Sequence, residues 1–116
     1  MSAADIANEF AELLKAGSFE EAERYWAKDI VSIEAVDGPM RECRGLEAVK
    51  AKGDWWRENH EVYSFVTEGP YVNGDQFALV FKVDLTRKAE GQRVKMNEVA
   101  LYKVKGDKIV EERFFY

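Results

Sequence analysis

One cysteine and one histidine are all that 116 residues provide of the softer metal-binding and redox side chains, and each scarcity removes a class of function. A lone Cys43 leaves no partner for an internal disulfide and suits a reducing compartment. With His60 as the sole imidazole there is no thiolate and histidine set for zinc, and no acidic loop has calcium-binding spacing, so no metal and no cofactor are expected. A phosphate-cradling glycine motif and a G-x-S-x-G nucleophile elbow are also missing. Basic clusters are absent too: 17 Lys and Arg are scattered among 22 Asp and Glu, for a formal net charge of −5. Without a positive stripe to follow a phosphate backbone, nucleic acid is not an expected partner. The longest apolar run, FALVF at 77 to 81, is far too short to cross a bilayer, and the opening MSAADIANEF has neither the positive nor the apolar region of a signal peptide. These absences predict a soluble, cytoplasmic protein with no membrane partner.

What is present is enough apolar material for one core. Hydrophobic residues make up 47% and aromatic residues 13% of the chain, which fits a single domain over residues 1–116. Ile6, Phe10, Leu13 and Leu14 recur at helical spacing over residues 3 to 16, with Gly17 placed to end that helix. Ser18-x-x-Glu21 then reads as a capping box opening a second helix through EEAERYWA, with Ala22, Tyr25 and Trp26 as its buried stripe. From Ile30 the residues turn β-branched, and Asp37-Gly38-Pro39 ends that strand. After Gly45, Leu46, Val49, Gly53 and Trp56 form one face of a third helix, on which Gly53 is expected to permit a close approach. Beyond His60 come four alternating segments. Asn73-Gly74 suits a type I′ hairpin, Gly106-Asp107 marks a second turn and Glu90-Gly91 a looser one. In the second segment Phe77, Leu79, Phe81, Val83 and Leu85 share the packed face. The predicted architecture is α+β: a strongly curved antiparallel sheet wrapped around three helices from the N-terminal half, a cone-shaped half-barrel whose open mouth suits a small-molecule site.

The element order, the strand IVSIEA with an acid near its end, Arg44-Gly45-Leu46-Glu47-Ala48-Val49 opening the third helix and the closing GDKIVEERFFY together resemble the nuclear transport factor two-like superfamily, more narrowly its SnoaL-like and ketosteroid-isomerase-like branch with its cystatin-like α+β domain. The resemblance implies that Glu34 takes the position of a proton-shuttling carboxylate. It also implies that the isomerase's two oxyanion donors are missing, because their positions fall on Phe10 and at or near Ala100. A steroid isomerase is therefore not expected. The superfamily further implies a homodimer through the outer face of the sheet, where Val80, Val99 and Leu101 are candidates for cover.

Individual residues carry competing readings. Glu34 is either a base in an apolar cup or a rim charge paired with Arg41 or Arg44. Alternation through Met96, Glu98, Ala100, Tyr102 and Val104 puts Glu98 and Tyr102 on the inner face, where a second carboxylate would couple to Glu34; a one-residue register slip would turn both outward. Tyr102 and Tyr116 are phenolic donors or core aromatics. Trp56 continues the helix stripe, while Trp55 is pocket lip or subunit contact. His60 is read as a partner for a helix C-terminus, Arg113 as a counter-ion for an inward glutamate, and Cys43 as a passive thiol. The expected catalytic set is Glu34, Glu98 and Tyr102, in a cup lined by Phe10, Trp26, Trp55, Trp56, Phe77, Phe81 and Tyr116. The expected function is a small-molecule-binding domain that takes a hydrophobic organic ligand, with metal-free acid/base chemistry of isomerase, cyclase or hydratase type. The alternative is a dimeric binding module without catalysis.

Overall fold

A computed structural model describes residues 1–116. Helix α1 spans Ala3–Lys15 as the periodicity predicts. Its start is fixed by a capping box: the Ser2 hydroxyl accepts from the Asp5 N–H at 3.1 Å, and the Asp5 carboxylate accepts from the Ser2 N–H at 3.0 Å. Its end is a Schellman motif, in which Ser18 N–H reaches Leu13 O and Gly17 N–H reaches Leu14 O. Gly17 permits this with φ +76°.

The second helix is shorter than expected. Helix α2 spans only Phe19–Ala22 and passes into a 3-10 turn at Glu23–Tyr25. Ser18 makes no side-chain capping bond, and so short a segment has little helical stability of its own. Trp26 is instead the first residue of β1 (Trp26–Ile33), where it pairs with Ile109. A short strand, β2 (Glu42–Arg44), lies between the turn and α3 (Leu46–Asn59); it holds Cys43 and carried no sequence signal long enough to detect. The four alternating segments are β3 (His60–Asn73), β4 (Gln76–Arg87), β5 (Gln92–Lys105) and β6 (Lys108–Phe115).

The strands form one sheet in the order β2-β1-β6-β5-β4-β3. All neighbours are antiparallel except β1 and β6, which run parallel and bring the end of β1 beside the end of the chain. The sheet is unclosed, and it is curved at register shifts such as that between Lys103 and Val104. At two hairpins the turn chemistry differs from expectation. Asn73 pairs with Gln76, so Gly74 and Asp75 are the central residues, and no residue other than glycine has positive φ. Gly74 at φ +61° therefore meets the first-position demand of a type II′ turn, not the double demand of type I′. Gly106 and Asp107 repeat the arrangement, with φ +63° at the glycine.

The helices lie on the concave face. Phe77, Leu79, Phe81, Val83 and Leu85 of β4 are all buried there, against Ile6, Ala7, Phe10 and Ala11 of α1 and Val49 of α3. Phe77 stacks on Tyr102 at 4.8 Å, and Phe10 meets Tyr102 edge-on at 5.1 Å, so one end of the cone is an aromatic plug. Gly53 makes no close approach: a side chain there would meet only the far end of Arg57. No helix is long and apolar enough to cross a membrane. Because the plug is closed on all sides, Phe77→Ala should cost about 3–5 kcal/mol in urea unfolding, as buried aromatic truncations do. A loss under about 1 kcal/mol would show that this end of the cone is loosely packed.

Candidate functional site

Three glutamates from three different strand positions face the concave side near the end of β1. Glu34 follows the last residue of β1, Glu98 lies in β5 opposite Phe81, and Glu112 lies in β6 opposite Tyr102. Alternation accounts for the first two: Ile30, Ser32 and Glu34 share the inward side of their segment, as Met96, Glu98, Ala100 and Tyr102 do. Glu112 faces inward because of a bulge. Val104 pairs with Ile109 while Lys103 pairs with Glu111, so Val110 is an extra residue that resets the alternation of β6. Without it Glu111 would point in and Glu112 out.

A single cation serves this group. Lys52 of α3 donates to Glu34 Oε2 at 2.5 Å and also to the Ser32 hydroxyl, and its Nζ sits 5.0 Å from the centroid of the Phe114 ring. Only 14% of the Lys52 side chain is exposed. The other oxygen of Glu34 accepts from the Tyr116 hydroxyl at 3.0 Å. Arginine plays no part here: Arg41 pairs with Asp37, Arg44 with Glu42, and Arg113, expected beside an inward glutamate, lies on the outer face next to Glu111.

The surroundings separate the carboxyls chemically. Burial, reinforced by the charge of Glu34, pushes Glu98 up to about 7, with Lys52 opposing. Burial likewise pushes Glu112 up to about 7; Lys52 and a hydrogen bond from Ser32 pull it down, and Glu34 and Glu98 push it up. Partial burial and then Glu34 raise the Tyr116 phenol to about 12, so it stays a donor at neutral pH. Tyr102, shut in the core, is raised well above the usual phenol value by burial and then by Glu112. Glu34 thus sits in an ion pair, while Glu98 makes no hydrogen bond or ion pair within the protein and holds a proton that neutral pH can remove.

The profile of the SnoaL-like domain family matches residues 1–116. The chain belongs to the SnoaL-like family. A protein from Mesorhizobium loti, described as a candidate SnoaL-like polyketide cyclase with carbohydrate phosphatase in brackets, is 56% identical over 100% of both chains, with a TM-score of 0.97. A nuclear transport factor two-like protein from Burkholderia xenovorans shares the fold at 19% identity and TM-score 0.78, covering 99% of this chain and 90% of its own. A further candidate SnoaL-like polyketide cyclase, from Jannaschia, does so at 19% identity and TM-score 0.76, over 96% and 85%. No curated protein matches the chain.

In this SnoaL-like domain seven of the ten expected site residues fall into two sets, and the three tryptophans lie apart from both. Glu34, Glu98, Phe81 and Tyr116 come together at the polar end of the concave face. Phe10, Phe77 and Tyr102 are inside the closed aromatic plug, where they fill space between α1 and the sheet, so their placement is that of core residues and not of an open lining. Trp26 is half-buried at the start of β1, its indole N–H enclosed without a partner. Trp56 stacks on His60 at 4.7 Å, and Trp55 is exposed on the same helix. His60 Nδ1 lies 2.7 Å from Trp56 O at the end of α3, the helix-terminal role expected of it. Lys52, Glu112 and Ser32 were missed. No three His, Cys, Asp or Glu side chains converge in a metal-binding arrangement. The surface depressions of about 360 Å³ and about 550 Å³ lie elsewhere, one on the outer face around Val66, Lys82 and Asp84, the other at the β3–β4 turn.

Glu112 gives a stability prediction. Its folded value of about 7 is above its ordinary 4.5, so the folded state holds a proton that the unfolded chain releases earlier. The stability associated with that proton is complete below about 4.5 and is lost as pH rises through about 7. Glu112→Gln, which cannot ionise, should therefore stabilise the protein at pH well above 7 by roughly 2 kcal/mol and change little at acid pH. Thermal melts across pH check this; equal effects of the substitution at both ends would contradict it.

Proposed function

We propose that this SnoaL-like domain binds a small hydrophobic organic molecule at the polar end of its concave face and moves a proton on it without a cofactor. Glu34 acts as the base and Glu98 as the acid. The observation that carries this reading is the opposed environment of two carboxyls on one concave surface. One is ion-paired with Lys52 and hydrogen-bonded by Tyr116; the other is unpartnered and titrates near neutrality. Phe81, Met96 and Phe114 give that surface apolar flanks. In the simplest cycle Glu34 accepts a C–H proton next to a carbonyl, the C–H electron pair moves into an enol, and Glu98 delivers its proton to the oxygen. Delivery of the Glu34-held proton to a different carbon of a conjugated enol, with the enol O–H proton returning to Glu98, is an isomerisation; attack by the enol carbon on a second carbonyl, whose oxygen takes the proton from Glu34 while the enol oxygen returns its own to Glu98, is a cyclisation.

The close relative from Mesorhizobium loti carries both a cyclase and a phosphatase description. The charge of the site favours the former, since a phosphate ester would meet three glutamates with one lysine already paired. The single free thiol, Cys43, suits the cytoplasm.

The test uses 2-tetralone, an aromatic ketone, in heavy water, with deuterium uptake at its activated carbon followed by NMR. The protein should accelerate exchange. Glu34→Gln should lower the acceleration on the order of 10²-fold or more, the usual weight of a positioned base. Because the acid must be protonated, the rate should fall as pH rises through about 7, and Glu98→Gln should abolish that fall. Exchange no faster than in buffer, or undiminished in Glu34→Gln, would sink the catalytic reading.

We also infer a homodimer through the outer face of the sheet. Val99 and Phe115 are cross-strand neighbours there, 40% and 49% exposed, with Val80 and Leu101 beside them. Sedimentation at micromolar concentration should show a dimer, and the double substitution Val99→Lys, Phe115→Lys should give monomers. A wild-type monomer would refute the pairing.

A further inference from the structure

We propose that Lys52 is the positioning residue of this site: a nearly buried ammonium that ties α3 to the end of β1 and fixes the Glu34 carboxylate in place for proton transfer. The inference rests on the acid/base reading above and adds a residue that the resemblance to the isomerase branch does not supply.

Its placement supports the role. Lys52 is three residues after Val49 and four before Trp56, so it lies on the side of α3 that packs against the sheet. Pointing a lysine there costs desolvation unless its ammonium is compensated. Two of its three N–H donors are used, one by the Ser32 hydroxyl within β1 and one by Glu34 just past the strand's end. Phe114 of β6 offers the ammonium its ring face. The anchoring is therefore shared among helix, strand and C-terminal segment, and Tyr116 holds the opposite oxygen of Glu34. A carboxylate held at both oxygens, one by a charge and one by a phenol, has little freedom to swing. That restraint is what a base needs when proton transfer depends on sub-ångström placement.

Every titratable group facing Lys52 is an acid: Glu34 beyond β1, Glu98 of β5 and Glu112 of β6, with Tyr116 at the rim. No second cation stands in reserve within hydrogen-bond or ion-pair reach of Glu34. Loss of the ammonium would thus leave three acids facing one another. Lys52 also acts on the two groups it does not touch, pulling both Glu98 and Glu112 toward ionisation.

The experiment compares Lys52→Met, Lys52→Gln and Lys52→Arg in the full chain, with carbon-13 NMR titration of the glutamate carboxyls and the 2-tetralone exchange assay. Lys52→Met and Lys52→Gln remove the charge, the latter keeping hydrogen-bonding capacity should the former fail to fold. Both should move the Glu98 midpoint upward, and Lys52→Arg should hold it near the wild-type value. Exchange should fall on the order of 10²-fold in the neutral variants and recover substantially in Lys52→Arg. A folded Lys52→Gln protein with an unmoved Glu98 midpoint would overturn the proposal. The titration decides this even if wild-type protein does not accelerate exchange, an outcome that would remove the catalytic reading separately.

Discussion

The arrangement at the polar end of the sheet depends on one ion pair. Three carboxyls and one ammonium are gathered where water is scarce, and the Lys52–Glu34 contact is the only full charge compensation among them. A buried ion pair adds little net stability once desolvation is counted. Once Glu34 takes the cation, Glu98 and Glu112 must avoid charge, and burial drives both toward the protonated form near neutral pH.

The fold puts these groups together through its one parallel pairing. Antiparallel neighbours alone would build a meander from β3 to β6, with nothing to connect the acid after β1 with the C-terminal tyrosine. Pairing β1 with β6 aligns Ser32 with Glu112 and leaves Glu34 and Tyr116 emerging from adjacent strands in the same direction. Helix α3, seated over β1, then brings Lys52 down onto them. The aromatic plug of Phe10, Phe77 and Tyr102 closes the other end of the cone against α1.

Much of this was legible in the residues. Period-two alternation in β4 and β5 determines which side chains enter the core, and that placed Glu98 inward and Val99 outward without coordinates. Hairpin positions followed from glycine, although their type did not, because strand register makes Gly74-Asp75 and Gly106-Asp107 the central pairs and neither aspartate has positive φ. Lys52 escaped because a lysine between apolar helix positions ordinarily reads as solvated. The signal was there in the spacing Val49, Lys52, Trp56, which puts the lysine on the packed side, but Gly53 was placed on that face instead. Glu112 escaped for a stronger reason: simple alternation from Ile109 selects Glu111, and only the bulge at Val110 reverses it. A bulge depends on the partner strand and leaves no mark in its own sequence. The second helix failed by the same logic, since pairing with Ile109 drew Trp26 into the sheet against its helical surroundings.

Glu98 carries a removable proton at neutral pH beside the lysine-bound Glu34. Infrared difference spectroscopy between acidic and neutral pH, with carbon-13 glutamate labelling, reads protonated carboxyls directly. A protonated carboxyl band is expected that disappears as pH passes through about 7 and that is diminished in Glu98→Gln. A spectrum in which every glutamate is already ionised by about pH 5.5, in the range of ordinary solvated carboxyls, would contradict it.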